Sequence, residues 1–185
     1  MNYPRVAILM STYNGEKYLD QQIISIINQT YENWNLYIRD DGSTDKTLDI
    51  IKRFQRKDKR IILYESNSNV GSTKSFMKLL NHTEADYYMF SDQDDYWLEN
   101  KIKWSLEEML KDNNRYPMCI YTNYKVVDKD LNTIMHSGFD YTSSDFLDIL
   151  FTNSKLWLKL ECLIRSPYLL RYILSIPFSF RPYSE

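Results

Sequence analysis

Val6 to Met10 is an unbroken run of apolar side chains that ends in Ser11-Thr12-Tyr13-Asn14-Gly15, and the same transition from apolar strand to polar turn recurs along the chain. A strand apolar on both faces belongs inside a covered sheet. After the first turn, Leu19, Ile23, Ile26 and Ile27 fall at helical spacing and predict a helix from Glu16 to about Thr30. Leu36 to Arg39 reads as the second strand and Asp40-Asp41-Gly42-Ser43 as its exit turn. Ser43 or Thr44 is then the expected N-cap of a helix carrying Leu48, Ile51 and Phe54. Ile61 to Tyr64 reads as strand, Ser66 to Gly71 as loop, Thr73 to Leu80 as helix and Tyr87 to Phe90 as strand. A helix with Leu98, Ile102, Leu106 and Met109 follows.

Strands that alternate with helices in this way build a parallel sheet with helices on both faces, a doubly wound α/β architecture. Ligands of such sheets bind beyond the carboxyl ends of the strands. Ser11 to Asn14, Asp40 with Asp41, and Asp92 to Asp95 are therefore expected along one rim.

The last of these clusters, Ser91-Asp92-Gln93-Asp94-Asp95-Tyr96-Trp97, crowds three carboxylates that repel one another unless a positive charge sits among them. If the chain is still extended there, Asp92 and Asp94 point to one side and Asp95 to the other, so two oxygen ligands meet on one hard divalent cation. A cation at that place can clamp a diphosphate and ease its departure. A solvated acidic helix start is the other reading, because carboxylates favour helix N-termini. Both stand at this point.

With 185 residues, the chain has room for one domain with a sizeable core. Lys and Arg number 23 against 25 Asp and Glu, a net charge of -2 that supplies no basic field for nucleic acid. Aromatic residues make up 15% of the chain, enough for some rings to line a groove for bases or sugars, with core packing the alternative for each ring. Cys119 and Cys162 form no CxxC pair, and the N-terminus shows no basic-then-apolar signal segment, so a reducing cytoplasm is the expected setting. His82 and His136 are isolated, which argues against zinc. No apolar run approaches the roughly 18 residues of a spanning helix. With 4 Gly in the whole chain, and neither G-x-G-x-x-G nor G-x-x-x-x-G-K-[ST] present, dinucleotide oxidoreductase and P-loop ATPase chemistries are set aside. A phosphoacceptor switch domain would leave Ser11 to Asn14 without a role.

Met118 to Asp128 reads as one longer strand, and Asp128 to Asn132 as a turn into a strand at Thr133 to His136, an antiparallel addition. Asp145 to Phe151 reads as a short helix. Beyond it, Lys155, Lys159, Arg165, Arg171 and Arg181 against Glu161 and Glu185 give a basic, apolar tail. Either it touches a membrane surface or partner, or it forms a helix that completes the core.

Val6 to Asn14, then Arg39-Asp40-Asp41-Gly42-Ser43-Thr44-Asp45, then Ser91-Asp92-Gln93-Asp94-Asp95, in that order, resemble the family 2 glycosyltransferases of the GT-A fold. Asn69-Val70-Gly71 fits the same pattern, and Asp-Gln-Asp-Asp-Tyr-Trp resembles the bacterial rhamnosyltransferase-type branch. The resemblance implies a GT-A, Rossmann-like, mostly parallel sheet over residues 1–152, followed by an atypical segment at 153–185. It implies that Ser11 and Tyr13 contact the base and ribose, that Asp41 accepts from the base with Asp40 in support, and that Asp92 and Asp94 form the metal and ribose site. Asp95 would lie near the donor sugar, and Mg²⁺ or Mn²⁺ would neutralise the departing diphosphate.

The implied activity is inverting, metal-dependent transfer of a sugar from a nucleoside-diphosphate donor to a glycan or lipid-linked acceptor, in the cytoplasm or at the inner face of the membrane. Direct displacement needs a carboxylate to take the acceptor's proton. The family's Gly-Cys-Thr-like acceptor segment is only faintly matched by the residues after Asn153, and Glu161 and Glu185 are base candidates by residue type alone. The expectation is thus a truncated or naturally short member. The alternative function is a nucleotide-sugar-binding fragment that lacks transfer activity for want of a base.

Overall fold

The computed structural model describes residues 3–64, 66, 68–111, 119–122, 125–136 and 162–164. Strands β1 (Val6–Thr12), β2 (Trp34–Asp40), β3 (Ile61–Tyr64) and β4 (Tyr87–Ser91) alternate with helices α1 (Leu19–Ile27), α2 (Thr47–Lys57) and α3 (Ser72–His82), and α4 (Lys101–Leu110) follows β4. Then come β5 (Cys119–Tyr121), β6 (Lys125–Val127), β7 (Thr133–His136) and β8 (Cys162–Ile164).

One six-stranded sheet runs in the order β3-β2-β1-β4-β8-β5. Its first four strands are parallel, whereas β8 pairs antiparallel with both β4 and β5, so β5 again runs with β4. The pleat of β1 divides the core in two. Val6, Ile8 and Met10 pack with Leu19, Ile23 and Ile26 of α1, Ile51 and Phe54 of α2, and Ile102, Leu106 and Met109 of α4. Ala7 and Leu9 face the other way, against Leu79 and Leu80 of α3 and Tyr88 of β4. Helices therefore cover both faces, as the continuous apolar strands require.

Several boundaries differ from the sequence reading. Helix α1 starts at Leu19, because residues 16–18 form a turn in which the Tyr18 and Leu19 amides both bond the Gly15 carbonyl. Helix α4 starts at Lys101, beyond Leu98. The single strand expected from Met118 to Asp128 is two, because β5 joins the main sheet while β6 pairs antiparallel with β7 in a separate hairpin. Asp128 builds the hairpin turn by accepting from the Asp130 and Asn132 amides. The antiparallel addition to the main sheet comes from β8, three residues of the segment read as a tail. The helix expected at Asp145 to Phe151 lies outside the described residues, as does the rest of the basic tail. No helix among the described residues is long and apolar enough to cross a membrane.

Candidate active site at the strand ends

Parallel strands in register end together. Thr12 of β1 lies opposite Asp40 of β2, and Met10 lies opposite Ser91 of β4, so the loops that leave these strands emerge along one edge. The Asp41 amide reaches back to the Thr12 carbonyl at 2.8 Å. Asp41 and Asp94 thus stand on the same rim, together with Tyr13.

Asp40 and Asp41 are both buried, at 2% exposure each, and hold opposite sides of this rim. Asp40 serves the β1 side. Its carboxylate accepts from the Thr12 hydroxyl at 3.1 Å and from the amide and hydroxyl of Ser43 at 2.9 and 2.5 Å. Asp41 instead takes the Arg39 guanidinium and the amides of Val70 and Gly71, at 2.9 and 2.8 Å. Burial alone would push the Asp41 carboxyl up. The Arg39 hydrogen bond, the two amides and the guanidinium charge outweigh it and hold the group below the usual carboxylate range. Gly71 supplies its amide from φ +83 and ψ 154, a conformation open essentially to glycine alone. Arg39 completes this knot through Ser75 Oγ at 3.0 Å, Ser66 Oγ at 2.5 Å and the Ser68 carbonyl at 3.0 Å.

The expected N-cap is corrected here. Helix α2 opens at Thr47 with Lys46 at the cap position, because the Ser43 hydroxyl is engaged by Asp40 and by the Asn14 amide. Thr44 donates to the Asn14 side chain instead. Asp45 accepts the Thr47 amide and the Glu16 amide, both at 3.0 Å, and Glu16 accepts the Lys46 amide in return. The Thr47 and Glu16 hydrogen bonds keep the Asp45 carboxyl below its ordinary value despite partial burial. The exits of β1 and β2 are thus stitched together residue by residue.

Strand β4 stops at Ser91 and residues 93 and 94 form a turn, so the strand alternation that would have aimed Asp92 and Asp94 together does not operate. The helix-start reading does not hold either, since α4 begins well past the cluster. The turn is held from below by α1. The Gln22 amide, oriented so that each donor meets an acceptor, takes Ser91 Oγ at 2.6 Å and Trp97 Nε1 at 3.3 Å and gives to the Asp95 carbonyl at 2.6 Å. Ser25 Oγ accepts the Trp97 amide at 3.0 Å. Gln29, just past the end of α1, donates to the Leu98 carbonyl at 2.8 Å and accepts the Ile102 amide at 3.0 Å, capping α4 from a distant segment.

Among the described residues, no three His, Cys, Asp or Glu side chains gather into a complete cation cage. Asp92, half-buried, and Asp94, exposed, still offer hard oxygen donors two positions apart on the turn, and no hydrogen bond or ion pair among the described residues engages the Asp94 carboxylate. That donor set fits Mg²⁺ or Mn²⁺, which bind through one or two carboxylates and complete their shells with phosphate oxygens and water. Asp95 and Ser11 are half-buried beside this turn and at the end of β1. Tyr13 and Tyr96 are 49% and 43% exposed and offer ring surface at the rim, whereas Tyr87 and Tyr88 belong to the core. Glu161 and Glu185 lie outside the described residues.

Arg39, Gln22, Ser25, Gln29 and Gln93 were missed as site residues in the sequence reading. A signal was present: Gln22 and Ser25 in α1 and Gln29 just past its end sit at i, i+3 and i+7, continuing the stripe of Leu19 and Ile26, where an amide must find a buried partner.

The mostly parallel α/β sheet with acidic clusters at its carboxyl edge fits the GT-A fold. The solved structures that resemble it agree. Residues 1–349 of TarS from S. aureus superpose with a TM-score of 0.70 at 22% identity, over 91% of this chain and 49% of that one. The mannosyltransferase PcManGT from Pyrobaculum calidifontis, in complex with GDP-Man and Mn²⁺, gives 0.56 at 20% identity, over 63% and 35%. Residues 7–169 match the model of glycosyl transferase family 2, and the chain belongs to that family. Among curated relatives, an uncharacterized glycosyltransferase of Haemophilus influenzae is 37% identical over 72% of this chain and 52% of its own length. The UDP-Glc:alpha-D-GlcNAc-diphosphoundecaprenol beta-1,3-glucosyltransferase WfgD of Escherichia coli is 32% identical over 68% and 47%. The dTDP-rhamnosyl transferase RfbG of Shigella flexneri is 36% identical over 71% and 48%. The chain spans about half the length of these relatives.

Proposed function

We propose that this chain binds a nucleoside-diphosphate sugar at the rim of its sheet and transfers the sugar, with inversion and with a divalent cation, to a glycan or lipid-linked acceptor. The observation that carries the reading is the meeting of Tyr13, Asp40, Asp41 and the Asp92–Asp95 turn on one strand edge. Ser11 and Tyr13 contact the base and ribose. Asp41 accepts from the base on Oδ2, which among the described hydrogen bonds receives only the Gly71 amide, and Asp40 holds the neighbouring turn in place. Asp92 and Asp94 hold Mg²⁺ or Mn²⁺, with Asp92 also at the ribose and Asp95 beside the donor sugar. The cation, when bound, supplies charge neutralisation for the departing diphosphate. The relatives named for UDP-Glc and dTDP-rhamnosyl chemistry, and the neighbour solved with GDP-Man and Mn²⁺, support a nucleotide-sugar donor without choosing its base.

The test is calorimetric titration of UDP, GDP and dTDP with and without Mn²⁺, on the wild type and on Asp94→Ala. Mn²⁺-enhanced binding of one nucleotide, lost in Asp94→Ala with an unchanged melting curve, is the expected result. Binding that ignores Mn²⁺ in both proteins refutes the cation site. A companion assay with nucleotide sugars and acceptors separates the two functional readings: donor affinity with neither transfer nor hydrolysis identifies a donor-binding unit.

A further inference from the structure

Gln93 sits between Asp92 and Asp94, and its half-buried side chain turns its carboxamide onto the backbone of Tyr13. Its Oε1 accepts the Tyr13 amide at 2.9 Å and its Nε2 donates to the Tyr13 carbonyl at 3.1 Å. One side chain thus mimics a strand partner, satisfying both backbone groups of the residue at the tip of the β1 exit loop. Gly15 lies directly beneath. A Cβ on Gly15 would stand 2.4 Å from Gln93 Oε1 and 2.8 Å from its Cδ, so the amide seats only over a residue with no side chain.

We propose that Gln93 is a positioning residue: its amide latches the Asp92–Asp94 turn to the Tyr13 loop, so that cation binding and nucleotide binding are coupled, and Gly15 is the seat of that latch. The inference rests on the functional reading above. The chemistry explains the residue type. A glutamate could accept the Tyr13 amide but would set an anion against the Tyr13 carbonyl and add a fourth charge to an acidic turn. Asparagine is one methylene shorter and cannot span the same gap from an unmoved backbone. Because the bonds run to backbone atoms on another loop, any displacement of Tyr13 by a bound nucleotide is passed to the carboxylates two positions apart, and the reverse holds by linkage.

The latch predicts an unusual pattern of coupling. Gln93→Ala removes it, and Gly15→Ala displaces the same amide by occupying its seat. Each should reduce the ratio of nucleotide affinities measured with and without Mn²⁺, by about 10-fold or more, the scale seen when groups that orient metal ligands are lost. The double variant should be no worse than Gln93→Ala alone, because the amide alone stands closer than 3.4 Å to a Cβ on residue 15. The same non-additivity should appear in melting temperature, which needs no ligand: Gly15→Ala lowers it when Gln93 is present and leaves it nearly unchanged when residue 93 is alanine. The probes are Mn²⁺ with whichever of UDP, GDP and dTDP binds the wild type. An undiminished Mn²⁺ enhancement in Gln93→Ala overturns the inference while leaving the donor-binding reading standing, and so do effects of the two substitutions that simply multiply. A wild type that binds none of the three nucleotides overturns the functional reading and the inference together.

Discussion

Arg39 and Asp41 form the most deeply buried ion pair among the described residues, with side chains 4% and 3% exposed. Their partners lie on the loop before α3 and on α3 itself: the guanidinium binds Ser66, Ser68 and, in the helix, Ser75, and the carboxylate binds Val70 and Gly71. Removing one partner leaves a buried charge unanswered. Asp41→Ala should therefore destabilise the fold by about 3 to 5 kcal/mol in chemical denaturation, the usual cost of orphaning half of a buried pair. Its effect on nucleotide binding must be read after that loss is accounted for. The depressed native value of Asp41 also fixes the direction of a pH effect. Its stabilisation is complete above the unfolded carboxyl value of about 4 and is lost as pH falls through the lower native value. Asp41→Asn should flatten that acid limb of the stability curve, measured as unfolding midpoint between neutral and strongly acidic buffer. The same limb surviving unchanged would show that other carboxylates carry it.

Helix α1 is amphipathic in an unconventional sense, because its inward stripe mixes Leu19, Ile23 and Ile26 with the buried Gln22 and Ser25, and the buried Gln29 follows just past its end. The segment from Asp95 to Leu98 has no sheet or helix of its own, so its backbone groups must find partners elsewhere, and α1 with Gln29 just beyond it provides them. Gln29→Ala should abolish amide-exchange protection at Ile102 and cost about 1 to 3 kcal/mol, the penalty for a buried group left unsatisfied. A protected Ile102 in that variant would mean another acceptor had taken over the cap. The strands and helices through Met109 were legible because their apolar periods are local properties of the chain. The partners of Gln22, Gln29, Arg39 and Gln93 were not, since each lies across a fold that single-chain spacing does not describe. Ser43 shows how the local rule fails: it has the right residue type for a cap, but Asp40 and Asn14 compete for its hydroxyl and win.

Across the whole molecule, the sheet is completed by a strand from far along the chain. β8 was invisible in the sequence because three apolar residues inside a Leu-, Ile- and Tyr-rich stretch carry no period of their own. The proposed division at residues 152 and 153 sets β8 apart from the strands it joins, and a chain ending at Thr152 tests it. Such a chain lacks the partner of β4 and β5, exposing the bonding groups of both. It should melt at lower temperature and self-associate in size-exclusion chromatography, the fate of an open edge. Unaltered melting would mean that residues 1–152 stand alone.

Because β8 lies between β4 and β5 and not at the margin, an interior slot of the sheet is filled by a strand made well after both of its neighbours. On the ribosome, the four parallel strands can assemble early, yet among the described strands β5 pairs only with β8, which waits for Cys162 to Ile164 to emerge. The β4–β8–β5 pairing thus closes over dozens of residues of intervening chain, and that long-range closure is expected to be the slowest folding step.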